Sequence, residues 1–172
     1  AYRIKDKLSE QRGLPNGRHL TYEEAERYIV QHLNNKGNQD VIAFSGMITT
    51  LKWQENVAKI IRRHQPDTFI VSGNGLATEI KRGLFKWIPE LDAIARSEGD
   101  DVILSILQDA LHIKNYGIEH AYKTGKLSKS YIGEYEGRPR FQYEGDRPKD
   151  LDAIPYAALD LLESDPYGVN IL

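Results

Sequence analysis

Three short apolar runs, each closing on small or polar residues and each followed by a helical pattern, restrict this chain to an α/β fold. Asp40-Val-Ile-Ala-Phe-Ser-Gly46 holds four consecutive apolar residues. Thr68-Phe-Ile-Val-Ser72 runs into Gly73-Asn-Gly75, and Leu91-Asp-Ala-Ile-Ala95 leads to Ser97-Glu-Gly-Asp-Asp101. Short runs without polar alternation read as strands buried on both faces. Between them the period changes. Trp53, Val57, Ile60 and Ile61 predict a helix over 51–64, stopped by Gln65-Pro-Asp67. A short helix is expected over 78–84, and Val102, Ile103, Ile106, Leu107 and Ala110 mark the face of another that starts near 101. Upstream, Thr21-Tyr-Glu-Glu24 is a capping box that opens a helix through Ala25, Tyr28, Ile29 and Leu33 and ends near 34–37.

Alternating strands and helices imply parallel strands joined by right-handed crossovers. The expected fold is a three-layer, Rossmann-like parallel sheet with strands over 41–44, 68–71 and 92–95. Such sheets bind ligands beyond the carboxyl ends of their strands. The turns Ser45-Gly46, Gly73-Asn-Gly75 and Ser97-Glu-Gly99 all fall at that edge, which makes it the candidate site.

The two ends of the chain read differently. The first eighteen residues are polar and rich in turn residues, with the stub of a strand near 2–4. After about His120 the texture becomes β-rich. Tyr131-Ile-Gly-Glu-Tyr135 and Arg140-Phe-Gln-Tyr143 flank Glu136-Gly137 and predict a hairpin. It is expected to stand outside the main parallel ladder and to be more mobile than the sheet. A polar linker over 146–150, Leu151-Asp-Ala-Ile-Pro155 and a short helix over 156–162 follow. The sequence thus divides into an α/β part, 1–125, and a hairpin and linker, 126–172.

Composition removes several function classes. There is no cysteine among the 172 residues, hence no disulfide, thiolate metal site or cysteine nucleophile. A net charge of −2, from 23 basic and 25 acidic residues, gives no pull toward nucleic acid or an anionic membrane. No apolar run approaches a membrane span and no signal peptide opens the chain, so the expected compartment is the cytoplasm. His19, His32, His64, His112 and His120 form no ligand spacing of the zinc type.

The remaining candidates are weighed against plainer roles. Gly73 and Gly75 suit a phosphate-holding turn, yet an ordinary tight turn is the better account of them taken alone, and the full Gly-x-Gly-x-x-Gly fingerprint is absent. Glu98, Asp100 and Asp101 suit magnesium binding or base catalysis; for Asp100 and Asp101, capping the next helix is the better account. Trp53, Trp87 and Tyr156 are expected in the core rather than stacked on a ligand. Ser45 lacks a nucleophile elbow.

Taken in order, three segments resemble the cobalamin-binding domains of radical S-adenosylmethionine (radical SAM) enzymes. They are Val41-Ile-Ala-Phe-Ser45, Ile70-Val-Ser-Gly-Asn-Gly-Leu-Ala-Thr78 and Ala95-Arg-Ser-Glu-Gly-Asp100. Leu151-Asp-Ala-Ile-Pro155 and Ala157-Ala-Leu-Asp160 are similar to the segment that precedes the catalytic barrel of that family, so the resemblance runs from about Thr21 to Leu162. It implies a cobalamin-binding module whose first strand–helix unit is partly missing. Ser45, Gly46 and Met47 would line the first loop, Gly73 and Asn74 would lie under the nucleotide tail, and Ser97, Glu98 and Gly99 would form the third loop. The implied partner is the module's own radical SAM barrel. The [4Fe-4S] cluster and S-adenosylmethionine belong to that barrel, since this chain has no Cys-x-x-x-Cys-x-x-Cys.

Three departures stand out. Asn74 replaces a usual glycine, Ser97 replaces the first glycine of Gly-Glu-Gly, and no Asp-x-His-x-x-Gly is present, so no histidine is expected on cobalt. The parent reaction, whether methyl transfer, methylthiolation or anaerobic porphyrin cyclisation, is left open. Two alternatives to the cobalamin module are a stand-alone nucleotide- or sugar-handling transferase using Glu98, and a degenerate domain that only contacts a partner.

Overall fold

The computed structural model describes residues 3–100, 102–124, 127, 130–146, 150 and 152. The chain opens with a two-residue strand β1 (Arg3–Ile4), a short helix α1 (Lys7–Gln11) and β2 (Arg18–His19), which pairs antiparallel with β1. The expected strand stub therefore forms, but in a ladder of its own. Arg18 fastens this unit to the next helix through Asp6 (2.7 Å) and Glu24 (2.6 Å).

Helix α2 (Tyr22–Lys36) begins as expected. Thr21 Oγ1 accepts from the Glu24 amide, and a Glu24 carboxylate oxygen accepts from the Thr21 amide at 2.9 Å. Gly37 ends it with φ 75°, a conformation that costs glycine little. The core units follow: β3 (Val41–Ser45), α3 (Leu51–His64), β4 (Phe69–Gly73), α4 (Asn74–Ile80), α5 (Leu84–Trp87), β5 (Ala93–Ser97), α6 (Ile103–Tyr116) and α7 (Ile118–Lys123). A hairpin of β6 (Tyr131–Tyr135) and β7 (Arg138–Gly145) completes the described fold.

The main sheet has the order β3-β4-β5-β7-β6. Strands β3, β4, β5 and β7 are parallel and β6 is antiparallel. The three strands expected to be parallel are so. The hairpin corrects its expectation: it is part of the main sheet, with β7 paired to β5 from Ala93↔Phe141 to Ser97↔Gly145.

Both sheet faces are covered, which makes the fold a three-layer, Rossmann-like α/β architecture. Phe44, Ile70 and Ile94 pack with Leu33, Val57, Ala58, Ile61, Leu76 and Leu84 on one face. Phe69, Val71, Ala93, Phe141 and Tyr143 pack with Val102, Ile106 and Ala110 on the other. The crossovers from β3 to β4 and from β4 to β5 use the first face. Helix α6 covers the second face on the way to the antiparallel β6, a connection that the right-handed rule for parallel strands does not govern.

Several boundaries moved. Helix α4 starts at Asn74, four residues before the expected 78, so the Gly73-Asn-Gly75 turn is itself the helix start. Strand β5 begins at Ala93 because Asp92 is drawn into a charge cluster described below. Trp53 and Trp87 are exposed rather than in the core. Trp53 lies beside the buried stripe of α3 (Gln54, Val57, Ala58, Ile61) and meets Phe44 only edge-on, and Trp87 ends a four-residue helix too short to set a face. Tyr156, the segment 151–155 and the helix expected over 156–162 fall outside the described residues, apart from Asp152.

Candidate functional site

Parallel strands in register place their last residues in a row. Ser45 pairs with Gly73, and Ser97 pairs with Gly145. The three predicted turns therefore meet at one edge of the sheet.

The first two turns are bonded directly to each other. The Gly46 amide donates to the Gly73 carbonyl at 3.4 Å, and the Leu76 amide donates to the Gly46 carbonyl at 2.9 Å. Asn74 Nδ2 donates to Ser45 Oγ at 3.1 Å, while Asn74 Oδ1 accepts from the Gly75 amide at 2.6 Å. Asn74 stands at φ 69°, in the left-handed region that asparagine enters more readily than most residues. The third turn joins through Thr78, whose hydroxyl donates to the Asn74 carbonyl (3.1 Å) and accepts from the Ser97 amide (3.2 Å). Ser97 also has a positive φ of 58°. Two non-glycine residues in this conformation at one edge of the sheet mark stored backbone strain.

Close backbone packing fixes the flanks. A methyl group on Gly145 would stand 1.9 Å from the Glu98 carbonyl oxygen, so the loop holding Glu98 and Gly99 rests directly on the end of β7. A methyl group on Gly46 would stand 1.6 Å from Gln54 Nε2. Gln54 is fully buried. Its Oε1 accepts from Ser72 Oγ at 2.9 Å and its Nε2 donates to Thr50 Oγ1 at 3.3 Å, which ties the start of α3 to β4 under the first loop.

The upper surface is open. Ser45, Met47, Asn74, Ser97, Glu98 and Gly99 are exposed, while Gly46 is buried and Gly73 half-buried. Methyl groups built on Gly75 or Gly99 would meet nothing within 4 Å, so a ligand can approach the backbone at both. Met47 and Ile48 add exposed apolar surface beside the first loop. All eight sequence-predicted residues thus lie along one edge. Ser45, Gly46, Gly73 and Asn74 are bonded together, Ser97 is bonded through Thr78, and the Glu98 backbone lies against Gly145. Sequence reasoning missed Thr78, Gln54 and Gly145 as parts of the site. Thr78 carried a signal, since it closes one of the segments on which the resemblance rests; Gln54 and Gly145 carried none.

The edge offers open glycine backbone, small side chains, the hydroxyl of Ser45 and the amide of Asn74. None of the five histidines stands in the three loops.

No family model matches the chain, and no curated protein matches it. Among solved structures it is similar to the N-terminal domain of the hypothetical protein TM0182 of Thermotoga maritima, with 16% identity over 80% of this chain and 83% of that one and a TM-score of 0.38. Among the described residues, no helix is long and apolar enough to cross a membrane.

Proposed function

We propose that this chain is the cobalamin-binding module of a radical SAM iron–sulfur enzyme of the cytoplasm. The observation that carries the reading is the joining of three separate sequence segments at one sheet edge, with Asn74 bonded to Ser45 and Thr78 bridging Asn74 to Ser97. The resemblance to that family rests on those same segments.

Bound cobalamin supplies the reactive cobalt, and this chain's residues supply the seat. Gly75 and Gly99 admit the ring system to the backbone. Ser45 and Asn74 present hydrogen-bonding groups to its amide side chains and tail. No side chain of the three loops is a histidine, so the reading requires binding without a protein ligand on cobalt. The [4Fe-4S] cluster and S-adenosylmethionine belong to the partner barrel of the same enzyme.

The test is an anaerobic titration with hydroxocobalamin, followed by its visible spectrum, on the full protein of the encoding gene. We expect saturable binding that no histidine substitution removes. Gly99→Phe fills open space at a position without positive φ, so it is expected to fold normally and to abolish binding. Unchanged binding in Gly99→Phe, or a full protein that carries an iron–sulfur cluster and takes up no cobalamin, refutes the reading.

A further inference from the structure

The opposite end of the sheet holds a second feature, independent of the cobalamin reading. A cleft of about 480 Å³ opens beside the start of β4, the end of α6 and the start of β7. Ile113 and Ile118 give it an apolar wall, and Arg62, Lys114 and Arg138 give it a basic one. Asp92 lies at its base and accepts from Arg62 Nη2 (2.6 Å), Arg138 Nη2 (2.7 Å) and the Ile70 amide (2.8 Å).

Three cations, Arg62, Lys114 and Arg138, line the cleft together with two carboxylates, Asp67 and Asp92, and Lys114 is paired with a third carboxylate, Asp40, so the formal charges balance. Behind the cleft, Arg140 is 2% exposed and donates to the carbonyls of Leu91, Pro89 and Tyr135. Glu90 gives Arg62 its carbonyl at 2.8 Å and not its carboxylate. Burial and the neighbouring Arg138 depress the guanidinium of Arg140 to about 10, and burial likewise lowers that of Arg62. Both shifts report guanidiniums held out of water, where the charged form is disfavoured.

Donors remain unused. Arg62 Nε is buried without an acceptor. Arg138 is partly exposed and spends Nη2 on Asp92, which leaves the rest of its planar fork for a ligand. A guanidinium fork matches the paired oxygens of a phosphate or carboxylate. The cleft is also larger than a bare ion needs, and its far wall is apolar.

We propose that this cleft binds a small organic oxyanion, with its charged head on Arg138 and Arg62 and its apolar body against Ile113 and Ile118. The head is a phosphate monoester or a carboxylate, which share this chemistry.

The test is isothermal titration of the chain with phenyl phosphate, with benzoate and with neutral phenol, all at one ionic strength. One or both anions are expected to bind saturably, and phenol is not; the better anion identifies the head group. Asp67→Asn removes the rim carboxylate and should tighten binding about twofold to threefold. Arg138→Gln should weaken it about tenfold. Neither change should alter hydroxocobalamin uptake by the full protein. No binding above the phenol control overturns the proposal. So does equal affinity in Asp67→Asn, an exposed position whose substitution leaves the fold intact even where Arg138→Gln does not.

Discussion

Arg18 is held by two carboxylates, and its pairing fixes how the N-terminal unit responds to acid. Its bond to Glu24, helped by the Thr21 amide, pulls the Glu24 carboxyl from 4.5 to about 2, and the same guanidinium lowers Asp6. A carboxylate depressed in the folded state adds stability above its unfolded pKa and loses it as pH falls through the folded value. The stability gap between wild type and Arg18→Gln is therefore expected to be full above about pH 4.5 and to close as pH approaches 2. Urea midpoints measured across that range test this, and a gap that stays constant with pH refutes it. At the same scale, Asn74 and Ser97 were legible as departures from a glycine pattern, but their consequences were not. Asn74 offsets its positive φ with two side-chain bonds, to Ser45 and to the Gly75 amide, which no sequence spacing announces.

Strand β7 belongs to the body of the fold. Phe141 is 1% exposed and packs between Phe69 (5.7 Å) and Tyr131 (5.7 Å), and Tyr143 donates from its buried hydroxyl to Asp109 at 2.8 Å. Phe141→Ala is expected to cost about 3–5 kcal/mol of global stability, the usual loss for a buried phenylalanine. The β7 amides should exchange as slowly as those of β5. A loss under about 1 kcal/mol, or fast β7 exchange, would restore the view of the hairpin as a peripheral linker. The hairpin itself was legible, because Glu136-Gly137 sits between two β-rich runs. Its place was not. Arg140 and Gln142 alternate with Phe141 and Tyr143, and such alternation normally marks a half-exposed strand. Arg140 breaks that rule because three carbonyls accept from its guanidinium and the rings of Phe85 and Tyr135 lie 5.3 and 5.9 Å from it. Strand β4 was readable for the opposite reason: Phe69, Ile70 and Val71 are all buried, so no polar position interrupts the run. Strand β3 carries the same kind of apolar run, but it lies at the sheet edge and is not buried on both faces as expected, since Ala43 is exposed.

At the scale of the whole molecule, the parallel sheet separates two kinds of work. Its carboxyl end carries small residues, open backbone and strained turns, and its amino end carries the charge cluster that locks β4, β5 and β7 together. Asp92 is the junction of that lock. It precedes β5, accepts from the β4 amide of Ile70, and pairs with Arg62 of α3 and Arg138 of β7. Asp92→Asn keeps the shape but leaves two guanidiniums without their carboxylate, and breaking a buried ion pair in this way costs about 3–5 kcal/mol. Thermal unfolding of the variant should show a correspondingly large drop in midpoint. Below that midpoint, hydroxocobalamin uptake by the full protein should match wild type, because Asp92 and the three loops lie at opposite ends of the strands. Gly99→Phe should show the reverse, with a normal midpoint and no uptake. If Asp92→Asn lost uptake while still folded, the two ends of the sheet would be coupled, and the loops would owe their strained geometry to the charge cluster as well as to Thr78 and Asn74.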